Sequence, residues 1–210
     1  MDREHTAGRL MSLEEYLAFE ERSPFKHEYV AGEVYAMSGV TTRHNLITLN
    51  IARHLHAATR ARRCKLFATD VKLRAADRVY YPDVMVACGK AANVDLIVEA
   101  PTLVVEVTSP GTRATDRREK LDTYRRIPSL RVYLIVDQRR RHVLAYTRGS
   151  KGEWMKEEFN GQGEIPLPAL NTRITMDAIY EGVDLPPPAV GEEEDEWGDY
   201  GEDDGSSPVL

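Results

Sequence analysis

The sequence predicts an α/β fold of the α+β kind: a mixed central sheet flanked by helices, with an N-terminal hairpin and a C-terminal meander. Three observations lead there. Residues 102–108 ("TLVVEVT") and 132–138 ("VYLIVDQ") are largely apolar runs, the pattern of strands buried on both faces. A polar segment of helical character, about 115–127, lies between them, so the two fit a parallel pair with a right-handed crossover. Ahead of them stand a long helical segment and two further strand segments, an order that a sheet with a helix on each side accommodates.

Taken along the chain, "SLEEYLAFEE" (12–21) opens with Ser12 followed three residues later by Glu15, a capping box ahead of helically spaced Leu13, Tyr16 and Leu17. "HEYVAGEVYAMSG" (27–39) reads as a hairpin turning at Ala31-Gly32. A helix is predicted over about 43–62, with a broad apolar stripe of Leu46, Ile47, Leu49, Ile51 and Leu55. Strands follow at 64–74 and about 79–88, joined by the turn "AADR". The helix after strand 102–108 has Thr115 as candidate N-cap and Asp116 in its first turn, and Pro128 stops it. The segments around 142–160 form the meander, and 175–182 a short helix.

Composition separates a body from a tail. The chain is 42% hydrophobic and 30% charged, as a soluble globular protein is. It has no apolar run of roughly 18 residues, so no membrane helix is expected. The opening residues mix both charge signs and do not read as a secretory signal. Residues 186–210 hold nine of the 34 acids and none of the 28 bases. Without them the formal charge of -6 becomes +3 for residues 1–185. One domain over 1–185 and an acidic, disordered tail over 186–210 are therefore expected. Cys64 and Cys88 show no metal-type spacing and read as reduced, packed thiols, with a cytoplasmic location as the default.

Two carboxylates interrupt apolar strands. Asp83 follows Pro82 inside "VYYPDVMVAC", and Glu106 lies inside "LVVEV". Ionised carboxylates are rarely buried without a partner. Sequential strands usually pair, at ~4.8 Å spacing, so the two acids could stand side by side. Two close carboxylates in a dry place either share a proton or are joined by a cation, and oxygen ligands suit magnesium or manganese rather than zinc. Glu33, at the hairpin turn, His44, opening the long helix, and Asp70, sharing a strand face with Lys72, are further candidates. Arginines at 60, 62, 63, 125, 126 and 139–141 could meet a phosphate backbone, although clusters of this kind are more often solvated surface. The terminal meander offers Tyr146, Trp154, Met155 and Phe159 as an apolar contact for a second copy, or as core.

The ordered series "HEYVAGEVYAMSG", "RHNLITLNIARHL", "FATDVKLR", "YPDVMV" and "LVVEVTSPGTRATDRREKLDTYRRIPSLRVYLIVD" resembles the Uma-two family of restriction-endonuclease-type proteins, a branch of the PD-(D/E)XK nuclease superfamily. The resemblance spans about 12–182. It implies a restriction-endonuclease-like fold, a magnesium-dependent DNA endonuclease, DNA as partner and a homodimer. Asp83 matches the PD aspartate and Glu106 the acid of the (D/E)XK element. The third position of that element is Thr108 rather than lysine, and the family's lysine on the following helix matches Lys120. The resemblance thus implies Asp83 and Glu106 as metal ligands, with Lys120 beside the phosphate, and the Val107 carbonyl can add a ligand because backbone oxygen also suits a hard ion. Thr108 also leaves room for a nuclease-fold protein that has lost catalysis and serves as a binding or assembly module. A glycosidase with Asp83 and Glu106 as its acid pair is a third reading, weakened by the depth of both acids in apolar strands and the want of an aromatic sugar platform.

Overall fold

The computed structural model describes residues 4–5, 10–37, 39–89, 97–108 and 116–187. Thr115, the candidate N-cap, and the acidic tail from 188 onward lie outside the described residues.

A six-stranded mixed sheet forms the centre. It runs in the order β12 (Trp154–Asn160), β11 (His142–Arg148), β10 (Val132–Asp137), β9 (Leu103–Thr108), β7 (Val84–Cys88) and β4 (Cys64–Ala68). β9 and β10 are the parallel pair, and every residue of both is buried. The connection between them carries a π-helical turn, Asp116–Lys120, continuing into α3 (Leu121–Arg125). The apolar alternation splits the core in two. Val84, Val86, Val105 and Val107 face α2 (Thr42–Ala61) through Ile47, Ile51 and Leu55. Met85, Val104, Tyr133 and Ile135 face α3 through Leu121 and Tyr124.

A second six-stranded sheet covers the α3 side. Its order is β1 (Glu4–His5), β3 (Glu33–Ala36), β2 (His27–Val30), β6 (Arg78–Tyr80), β5 (Lys72–Ala75) and β8 (Ile97–Val98). α1 (Leu13–Glu20) packs against it, started by the Ser12–Glu15 capping box. The β2–β3 turn has positive φ at both Ala31 (49°) and Gly32 (102°), the handedness that matches the twist of a two-residue hairpin. A hairpin of β13 (Glu164–Leu167) and β14 (Thr172–Thr175), then α4 (Met176–Ile179), closes the α2 side.

Several expectations are corrected. The segment 64–74 is not one strand. Thr69 and Asp70 take left-handed backbone (φ 53° and 61°), and the chain leaves the central sheet after β4 to enter the second sheet as β5. The segment 79–88 likewise breaks around Pro82, which has no N–H for a ladder, and crosses from β6 back to β7. The stripe on α2 is narrower than expected: Leu46 and Leu49 are exposed, because the helix packs on one side only. Tyr146 is buried and Phe159 packs against the core, so of the apolar residues expected at a subunit contact Met155 is the exposed one. Cys64 and Cys88 are not thiols. They stand directly opposite in the β4–β7 register, with Cα atoms 4.2 Å apart, and form a disulfide. Register is a tertiary fact that cysteine spacing does not encode. Among the described residues no helix is long and apolar enough to cross a membrane.

Candidate active site

The site forms where β7 stops short of β9. Asp83 is the residue just before β7, and Val84 opposite Val105 is the last paired position. One step on, Asp83 falls opposite Glu106. With no further strand residue there to accept it, the Val107 N–H donates instead to Asp83 Oδ2 at 2.7 Å. The N–H and C=O of a strand residue leave by the same edge, so the Val107 carbonyl is directed to the Asp83 side. The Asp83 carbonyl in turn accepts from Thr69 N–H at 2.9 Å, which fixes the aspartate from behind.

Helices supply the flanks. His44, in the first turn of α2, places Nε2 3.2 Å from Asp83 Oδ1. Thr41 caps that helix by accepting the His44 N–H, and its hydroxyl donates to Gln138 beyond the end of β10. On the other side Lys120, 6% exposed, ends the π-helical turn. Its ammonium lies 3.2 Å from Glu106 Oε1 and 3.0 Å from Glu28 Oε1. Tyr124 follows Lys120 by four residues and so shares its helix face. Its hydroxyl donates to Glu106 Oε1 at 2.8 Å. Burial first, then the Glu106 charge, push the Tyr124 phenol well above its ordinary range, so it stays a neutral donor. The Tyr80 ring lies beneath the ammonium, 5.5 Å from centroid to Nζ, and its hydroxyl donates to Glu119.

Asp83, Glu106, Val107, Lys120 and His44 are thus gathered at one end of the central sheet. Glu33 is not among the residues that meet Lys120 or Asp83: it lies on the β2–β3 hairpin and accepts from Tyr35. Asp70 turns outward on left-handed backbone and pairs with Lys26 rather than with a strand neighbour. Lys72 rests 5.6 Å from the Tyr81 ring centre. Of the expected phosphate-contacting arginines, Arg125 stacks on Tyr146, Arg140 pairs with Asp137 at 3.4 Å, and Arg141 pairs with Asp177.

Sequence reasoning missed Glu28 and Tyr124. Glu28 carries the same signal that exposed Asp83 and Glu106, an acid inside a strand-like segment, "HEYV", that proves buried. Tyr124 was detectable from its spacing to Lys120. Among the described residues no three His, Cys, Asp or Glu side chains gather closely enough to hold a metal by themselves. Two carboxylates and a backbone carbonyl, completed by water, nevertheless match the donor chemistry of a hard divalent ion.

The comparisons with known proteins agree with this architecture. A family model, Uma2, described as "Putative restriction endonuclease", matches residues 13–177. The chain is 32% identical over 180 residues to the uncharacterised protein slr1290 of Synechocystis, covering 82% of this chain and 93% of that protein. It is 31% identical over 159 residues to a second uncharacterised Synechocystis protein, sll1609, covering 73% and 90% respectively. In fold it is similar to the crystal structure of "a putative nuclease belonging to DUF820" from Anabaena variabilis. The TM-score there is 0.66 at 16% identity, over 81% of this chain and 97% of that one.

Proposed function

We propose a function from one premise: the chain belongs to the Uma2 family, described as "Putative restriction endonuclease". On that premise the protein is a nuclease of restriction-endonuclease-like fold, and its finer activity is magnesium-dependent hydrolysis of DNA phosphodiester bonds. The observation that carries this reading is the approach of the Lys120 ammonium to Glu106 at 3.2 Å, on the strand position opposite Asp83. The motif position on the strand is Thr108, and a buried lysine from the neighbouring helix brings the missing positive charge to the same carboxylate.

Asp83, Glu106 and the Val107 carbonyl would hold magnesium or manganese. When bound, such an ion supplies an acidified water and a shield for phosphoryl oxygens. The chain's own residues do the rest. His44 holds one oxygen of Asp83 and the Val107 N–H the other, which fixes the carboxylate's orientation. Tyr124 donates to Glu106 and keeps one of its oxygens directed toward the helix. Lys120 is a compact point charge suited to a developing phosphoryl charge, and the low water content of the site strengthens it. Glu28 holds the ammonium in place. A homodimer, so that two sites can cut two strands, goes with this reading.

Cleavage of supercoiled plasmid with magnesium, manganese or chelator tests the proposal. Parent protein is expected to cut only with metal. Asp83→Asn is expected to lose both cleavage and calorimetric metal binding. Lys120→Ala is expected to keep metal affinity while losing ~10²–10³ in rate, the usual size for one electrostatic stabiliser. Metal binding without cleavage under any condition would move the assignment to a diverged binding module.

A further inference from the structure

A cavity of about 470 Å³ opens beside the site, between the β5–β6 turn and the end of α3. Arg74, Asp77, Arg78, Glu99, Thr123 and Arg126 supply its polar lining. Resting on the nuclease reading, we infer that this cavity is a phosphate-binding subsite that holds a backbone phosphodiester of the nucleic-acid strand away from the scissile bond.

Its charges are arranged for that role. Arg74 is neutralised by Glu99 at 3.1 Å. Among the described residues Arg78 has no acid as an ion-pair partner. It donates to Thr123, and its Nε is buried with no hydrogen-bond partner. Arg126 is exposed, caps the C-terminal end of α3, and has no side-chain partner among the described residues. Two guanidinium groups therefore face one concave surface, with Asp77 beside them. Guanidinium groups bind phosphate oxygens in forked pairs and hold their charge at every physiological pH.

The cavity is also linked to the site. Thr123 joins them: its hydroxyl accepts from Arg78, donates to the Glu119 carbonyl at 2.9 Å, and lies 3.5 Å from the Tyr80 hydroxyl. The same Tyr80 ring carries the Lys120 ammonium. Arg126 follows Lys120 by six residues, a rise of about 9 Å along the helix at ~1.5 Å per residue.

The test is affinity for a fluorescent 20-base-pair duplex, by anisotropy in chelator and at several salt concentrations, so that cleavage plays no part. Arg126→Ala is expected to weaken binding about three- to tenfold and to lower the salt slope by about one. Arg126→Glu weakens it further, and Asp77→Asn tightens it. Arg173→Ala, which removes one positive charge from the β13–β14 hairpin on the α2 side, is the control. If both Arg126 variants bind as Arg173→Ala does, with an unchanged salt slope, the subsite is refuted and the nuclease reading stands. Parent protein that fails to bind the duplex overturns both. Inorganic phosphate is titrated in parallel. Micromolar binding lost in Arg126→Ala, with duplex affinity unchanged, would assign the cavity to a free phosphate compound and overturn the strand.

Discussion

Lys120→Met removes a cation that lies between Glu28 and Glu106. The two Oε1 atoms are 3.0 Å and 3.2 Å from a single Nζ, so they are at most 6.2 Å apart. Both side chains are nearly inaccessible to water, at 9% and 5% exposure. At an effective dielectric of about 20, two like charges ~6 Å apart repel by about 3 kcal/mol. Each attraction to the ammonium is of order 5 kcal/mol on the same scale, but most of that is offset by the cost of drying the lysine. The net loss should therefore resemble other buried ion pairs broken from one side, about 3–5 kcal/mol. For a domain of this size that is a fall in Tm of roughly 10 °C. Thermal and urea unfolding in chelator measure it. Adding Glu28→Gln should recover part of the loss, because it removes one of the two like charges. A Lys120→Met variant within about 1 kcal/mol of the parent, with no coupling to Glu28→Gln, would refute a charge-balanced site.

Two further measurements probe structure away from the site. Burial lowers the His142 imidazole to about 4, against the hydrogen bond to Glu158 that works to raise it. The folded value is depressed below the ordinary ~6.5, so between pH 6.5 and 4 the unfolded chain takes up a proton that the folded one refuses. Stability should fall by about 3 kcal/mol over that window, and His142→Gln should flatten the loss in urea midpoints taken at pH 7 and 4.5; parallel slopes would count against it. Closing a loop of 24 residues, the Cys64–Cys88 disulfide should add about 3 kcal/mol. Cys64→Ser is expected to lose that amount under non-reducing conditions and nothing in excess reductant, and equal losses in both would mean that packing, not the cross-link, is responsible.

The sequence by itself determined the local chemistry and the central pairing. Ser12 and Glu15 start α1, Ala31-Gly32 turns the first hairpin, and the apolar runs around Glu106 and Ile135 form the parallel pair, because each rests on side-chain pattern within a few residues. Asp83 and Glu106 stood out for the same reason: an acid in an apolar strand is a local contradiction that demands a partner. Who the partner is was decided only in three dimensions. The chain changes sheets twice, at Thr69-Asp70 and around Pro82, and continuous strand propensity hides both breaks. The second sheet those breaks create brings Glu28 to Lys120 from far along the chain, and the same β4–β7 register sets Cys64 against Cys88. Propensity and periodicity act over a turn or a strand, whereas register and sheet membership depend on which distant surfaces bury each other. That is why the acids were legible in the sequence and their counter-charge was settled by the packing of two sheets.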